Sequence, residues 1–109
     1  MDGPRRHLSP DKELAVFRVI QEAMNNSHRH AQARTIHIFL SFDEVRHTLT
    51  GTVKDDGVGF DLAGLRKNYR SLKKLGLVSM EERIRLTGGH FDLVSAVGEG
   101  TVVSFVVPL

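Results

Sequence analysis

The chain has 109 residues, with 15 Lys and Arg against 13 Asp and Glu and a formal charge of +2. That length allows one compact folding unit, and the weak net charge is no argument for nucleic acid on its own. With no cysteine, disulfides and thiolate metal sites are excluded, and stability must come from packing. No run reaches the roughly 18 apolar residues of a membrane span, and the start Met1-Asp2-Gly3-Pro4-Arg5-Arg6 lacks the apolar stretch of a signal peptide.

Ser9-Pro10-Asp11-Lys12-Glu13 reads as a helix start, with Ser9 as N-cap, Pro10 at the first helical position and acids in the first turn. Residues 1–8 precede it as a short arm, and residues 9–109 are read as the domain. In the helix that follows, Leu14, Phe17, Ile20, Ala23 and Met24 form an apolar stripe expected to face a sheet. Arg18, Glu22, Asn25, Asn26 and Arg29 form a second, polar stripe, which taken alone is an ordinary solvated face. Arg34 to Phe42 alternates as a half-buried strand with Ile36, Ile38, Leu40 and Phe42 on one side. After Asp43-Glu44 a second alternating run, with Leu49, Gly51 and Val53 on one side, completes an antiparallel hairpin. It ends in Asp55-Asp56-Gly57-Val58-Gly59-Phe60.

Between Asp61 and Leu75 lie Arg66, Lys67, Arg70, Lys73 and Lys74, with few residues fit for a core, and the segment reads as a mobile basic loop with room for a short helix. Gly76-Leu77 opens another helix, with Leu77, Met80 and Ile84 on one face, which stops at Thr87-Gly88-Gly89. Phe91, Leu93 and Ser95 mark a strand, Val97-Gly98-Glu99-Gly100 a turn, and the β-branched run Val102 to Val107 a central strand. The expected fold class is therefore α/β. It is a two-layer sandwich whose mixed, mostly antiparallel sheet is covered on one face by helices.

Each glycine cluster alone fits an ordinary turn. Together, and in this order, they carry a resemblance. Glu22-Ala23-Met24-Asn25-Asn26 with Arg29-His30-Ala31 resembles the N box of histidine kinases, Asp55-Asp56-Gly57-Val58-Gly59-Phe60 their first glycine box, and Gly76-Leu77-Val78-Ser79-Met80-Glu81-Glu82-Arg83 their second. Leu86-Thr87-Gly88-Gly89 and Gly98-Glu99-Gly100-Thr101 are similar to the segments that close that domain. The likeness runs from about Leu14 to Leu109. It is nearest to the subfamily that phosphorylates response regulators with helix-turn-helix output domains. The fold it implies is the GHKL fold shared with DNA gyrase, mismatch-repair ATPases and Hsp-type chaperone ATPases.

The resemblance implies a catalytic domain that holds ATP with Mg²⁺ and presents the γ-phosphate to a histidine on a dimerisation domain outside this chain, for relay to a response regulator. Glu22 and Asn26, four apart on one helix face, can point together at a phosphate-bound ion. Asn26 is the implied metal ligand, because Mg²⁺ accepts one amide oxygen beside phosphates and waters. Glu22, the implied catalytic residue, either orients or deprotonates a group at the metal or only organises its shell. Arg29 reaches the phosphates and His30 lies against the adenine. His28, Arg29 and His30 are disfavoured as a metal site, since residues two apart on a helix diverge.

Asp55 accepts a hydrogen bond from the adenine amine, which guanine lacks, and so selects ATP over GTP. Gly57 and Gly59 let the backbone approach the base, Thr101 extends the adenine contact, and Gly76 with Leu77 begins a helix whose free N–H groups suit phosphate. The basic loop corresponds to the ATP lid. The remaining expectations are a monomer in isolation, inactive without its acceptor domain, in the cytoplasm, with no nucleic acid and no direct membrane contact. Ser79 departs from the family pattern, which has glycine there. It matters if that position needs positive φ and is harmless inside a helix. Two other readings stay open: a serine kinase of the anti-sigma-factor type, and a degenerate nucleotide-binding module kept for protein contacts.

Overall fold

The computed structural model describes residues 8–29 and 32–109. In chain order the elements are α1 (Pro10–Arg29), β1 (Ile36–Asp43), β2 (Thr48–Asp55), α2 (Leu62–Arg66), α3 (Tyr69–Lys74), α4 (Leu77–Leu86), β3 (His90–Ser95) and β4 (Thr101–Pro108). The strands form one sheet in the order β1-β2-β4-β3, antiparallel at each pairing among the described residues. The expected two-layer α/β sandwich is present, without the parallel pair that a mixed sheet would need.

Local signals act as the sequence implies. At the start of α1 the Ser9 hydroxyl accepts from the Lys12 N–H at 3.4 Å, so one orphan donor of the first turn is met, and the Ser9 carbonyl takes the first helical bond from the Glu13 N–H at 2.9 Å. At the end of α4, Gly88 N–H bonds the Arg85 carbonyl and Gly89 N–H the Ile84 carbonyl, and the positive φ of Gly88 turns the chain out of the helix. The β1–β2 hairpin closes where Asp43 accepts from the N–H groups of Val45 and Arg46, both at 3.0 Å.

The core lies between the sheet and the pair α1 and α4. Its most enclosed side chains are Phe105, Met80, Ile84, Val19 and Val107. Burying a side chain of this kind stabilises by roughly 1.5–3 kcal/mol, and β4, buried at every second position, supplies three core residues in Val103, Phe105 and Val107. It is the central strand that its composition implies.

Two expectations are corrected. The buried stripe of α1 is Ala15, Val16, Val19, Ala23 and Ser27, while Leu14, Phe17 and Met24 are exposed at 51%, 58% and 42%. The helix is apolar around more than half its girth, so two stripes can be drawn, and tertiary packing selects one. β1 is less buried than a half-buried strand. Ile36 is partly covered, but Ile38, Leu40 and Phe42 stay exposed because α1 lies over β2 and β4, and α4 over β3 and β4. The basic segment also differs, since Leu62, Leu65, Leu72 and Leu75 pack onto the core and hold two short helices there.

Gly51 sits opposite Phe105 across β2 and β4, and a Cβ on it would run into the Phe105 ring. Gly51→Ala is therefore expected to lower stability by about 1–3 kcal/mol, read from urea unfolding. Combined with Phe105→Leu, the two losses should add to less than their sum, because the smaller side chain relieves the clash.

Candidate functional site

The site is built where the end of β2 meets α1 and the start of β4. Asp55 closes β2 and is buried, at 6% exposure. Its Oδ1 accepts the N–H of Gly57 at 2.9 Å and of Thr101 at 3.1 Å, and its Oδ2 accepts the Ser27 hydroxyl at 2.5 Å. Ser27 Oγ also lies 3.0 Å from the Ala23 carbonyl, but its single proton favours the shorter, charge-assisted bond. One carboxylate thus ties α1, the first glycine loop and β4 together. A carboxylate has about four acceptor positions, so three bonds leave one.

Gly100 explains how this approach is possible. It holds φ +76, and a Cβ there would collide with the Asp55 carbonyl oxygen. Gly59, at φ +65, packs as closely against the Ala96 carbonyl. The Thr101 hydroxyl is 2.8 Å from Ser95 Oγ, which also accepts the Phe60 N–H at 3.0 Å.

Over Asp55 is a cavity of about 20 Å³, lined by Ala23, Asn26, Ser27, Val53, Phe60, Leu75, Leu77, Leu93, Thr101 and Val103. That is room for about one water. Its roof is the end of the basic segment. Asn26 Nδ2 donates to the Leu75 carbonyl at 2.6 Å, and Gly76, in the left-handed conformation at φ +73, lies so near Glu22 that a Cβ would come within 2.6 Å of its carboxyl carbon. A carbonyl accepts only from the amide nitrogen, so the Asn26 oxygen is turned away from Leu75.

Of the residues singled out in the sequence, Asn26, Asp55, Leu77 and Thr101 line this one cavity, with Glu22 and Gly76 in contact at its rim and Gly57 bonded to its floor. Arg29 ends α1 on the same helical stripe as Glu22 and is exposed. His30 lies outside the described residues. Ser79 falls in the first turn of α4, exposed and without positive φ, so serine is accommodated there without strain. The cations Arg66, Lys67, Arg70, Lys73 and Lys74 are all exposed. Sequence reasoning missed Ser27, whose signal was a hydroxyl four residues after Ala23 on the buried stripe, and Ser95, which carried none.

The family described as histidine kinase-, DNA gyrase B- and HSP90-like ATPase matches residues 11–109. Similar sequences include an uncharacterized sensor-like histidine kinase of Chloroflexus aurantiacus, 38% identical over 99% of this chain and 18% of that protein. The signal transduction histidine-protein kinase/phosphatase DegS of Bacillus subtilis is 33% identical over 95% of this chain and 26% of its own length. In the blue-light activated histidine kinase of Erythrobacter litoralis EL346, a solved structure superposes with a TM-score of 0.74 at 20% identity, over 94% of this chain and 32% of that one. The last likeness concerns the fold alone. The chain therefore belongs to the histidine kinase-, DNA gyrase B- and HSP90-like ATPase family, and within it to the ATP-binding domains of sensor histidine kinases. It spans about a fifth to a quarter of those relatives' length.

Beside the cavity, the exposed Asp56 accepts the N–H groups of Thr35 at 3.0 Å and Arg34 at 2.9 Å through Oδ1. These backbone bonds, that of Thr35 first, hold its carboxyl below the usual 3.8. A carboxyl lowered on folding stabilises above its unfolded value, and the contribution fades as pH falls through the folded value. In unfolding curves of the native chain and Asp56→Asn, the native advantage should be level above roughly pH 5 and close as pH drops below that range.

Proposed function

We propose that this chain binds ATP with Mg²⁺ in the cavity over Asp55 and donates the γ-phosphate to a histidine on a dimerisation domain outside it, for relay to a response regulator. Residues 9–109 form the catalytic unit. By itself the chain binds nucleotide without transferring phosphate, and it works in the cytoplasm. The observation that carries the reading is the buried Asp55 carboxylate, with one acceptor position left, on the floor of a cavity whose rim holds Glu22 and Asn26.

The donor set fits the ligand. An exocyclic amine is the natural complement to the remaining acceptor of Asp55, while the carbonyl that guanine carries at that place would be repelled. The Asn26 oxygen, turned from Leu75, suits Mg²⁺, and the metal when bound supplies charge neutralisation at the phosphates. Glu22 is held beside Gly76, where it orients the groups around that metal. Arg29 and the exposed cations of α2 and α3 complement the phosphates, and His30, outside the described residues, is assigned to the base from the sequence alone. Gly57, Gly59 and Thr101 support the floor, while Gly76 and Leu77 supply the mouth and an apolar wall.

Calorimetric titration with a non-hydrolysable ATP analogue, with and without Mg²⁺, tests the assignment. The native chain should bind in a magnesium-dependent way and ignore the GTP analogue. Asp55→Asn should weaken binding about thirtyfold, the equivalent of about 2 kcal/mol for a charged hydrogen bond, while retaining cooperative unfolding. Equal affinity for the GTP analogue, or no change in a folded Asp55→Asn, would refute the reading.

A further inference from the structure

Ser95 is the last residue of β3 and stands opposite Thr101, the first of β4. It is half-buried and is not among the residues that line the cavity over Asp55, yet its hydroxyl meets three groups. The Phe60 N–H donates to Ser95 Oγ at 3.0 Å, Ser95 Oγ donates to the Gly100 carbonyl at 3.1 Å, and the Thr101 hydroxyl lies at 2.8 Å. Gly59 makes this crowding possible, since a Cβ on it would come within 2.9 Å of the same Gly100 carbonyl oxygen. A hydroxyl has one proton and two lone pairs, so all three partners are met in one way only. Ser95 gives its proton to Gly100 and accepts from both Phe60 and Thr101. The alternative, in which Ser95 donates to Thr101, strips the buried Gly100 carbonyl of its bond.

The consequence falls on Thr101. This residue is buried and lines the cavity, with its backbone N–H on Asp55 Oδ1 at 3.1 Å. With its only side-chain proton turned to Ser95, its oxygen offers lone pairs alone to whatever enters. Ser27, the other hydroxyl of the lining, has given its proton to Asp55 Oδ2, and an ionised carboxylate has none. Three side chains of the floor therefore face the cavity as acceptors.

We propose that Ser95 is a positioning residue for base selection: by taking the proton of Thr101 it holds that hydroxyl as an acceptor and keeps the floor of the cavity free of hydroxyl donors. This rests on the reading that the base of ATP lies over Asp55, and it extends selection from one carboxylate to a relay of hydroxyls. An acceptor floor complements an exocyclic amine, directly or through a water, and turns away a base with a carbonyl at that place. Free to turn, Thr101 would donate to such a carbonyl, and discrimination would rest on Asp55 alone.

Calorimetric titration with non-hydrolysable analogues of ATP and of inosine triphosphate tests the relay, because hypoxanthine carries a carbonyl where adenine carries the amine. Ser95→Ala is expected to narrow the preference for the ATP analogue about fivefold, the scale of one neutral hydrogen bond, by weakening adenine and strengthening hypoxanthine. A purely structural role would weaken both alike and leave the ratio unchanged. Ser95→Thr keeps the hydroxyl on a strand, where β-branched residues fit, and should keep the native ratio. In a Thr101→Val background, Ser95→Ala should leave the ratio where it stands, since the hydroxyl it orients is gone. A measurement without nucleotide separates the relay from the reading beneath it. In the proton NMR spectrum of the free chain, the Thr101 hydroxyl proton should exchange slowly and show a nuclear Overhauser contact to the Ser95 β-protons, and Ser95→Ala should abolish both. If the native chain binds neither analogue, the ATP assignment fails, and the hydroxyl proton alone decides whether Ser95 holds Thr101. A ratio unmoved by Ser95→Ala, or a Thr101 hydroxyl proton that exchanges as freely in the native chain as in Ser95→Ala, overturns the proposal.

Discussion

The Asp55 carboxylate is the constraint on which the rest of the site depends. Burying an ionised group costs several kcal/mol unless it is hydrogen-bonded, and here three donors from three parts of the chain meet that demand. Ser27 brings the last turns of α1 to the end of β2, Gly57 bends the loop back upon the strand, and Thr101 sets the start of β4. Gly100 must lack a side chain for β4 to begin so close to Asp55. The elements that a nucleotide needs are therefore held together by the group that would read its base. Three of the carboxylate's acceptor places do the positioning, and one is left over.

A second constraint is an imbalance between the layers. Two long helices cover three strands, and the fourth strand, as apolar as the others, is left with its core-side residues bare. The 58% exposure of Phe17 has the same origin, since this side chain belongs to a helix that has more apolar surface than its position over β2 and β4 can bury.

Much of this was legible from residue order. The cap at Ser9, the hairpin, the helix stop at Gly88 and Gly89, and the central run ending at Val107 are local chemistry, and local chemistry survives folding unchanged. Asp55 was legible only through the combined pattern of boxes, since an acid ahead of Gly57 and Gly59 at a strand end fits an ordinary turn when taken alone. The facing of α1 was not. Leu14, Phe17 and Met24 compete with Val16, Val19 and Ala23 at nearly the same period, and only the sheet decides between them. Nor were the four leucines of the basic segment, which are spaced for two short helices and so show no single periodicity. Ser27 was hidden because a serine on an apolar stripe reads as a neutral filler until its carboxylate partner, 28 residues away, is known.

The roof of the cavity joins these points into a mechanical argument. With room for about one water over Asp55, a purine enters only when side chains that line the cavity, Leu75 of its roof among them, give way. Leu75 belongs to the segment whose leucines hold α2 and α3 against the core, and its carbonyl is bonded to Asn26. Ligand entry must therefore exchange apolar contacts of the lid for contacts with the base. The bond from Asn26 to Leu75 need not be lost, since it uses the amide nitrogen and leaves the oxygen for a cation. Asn26 thus fastens the end of the basic segment through its nitrogen and keeps its oxygen turned from Leu75. An asparagine performs both tasks where an aspartate, which has no donor, would do only one.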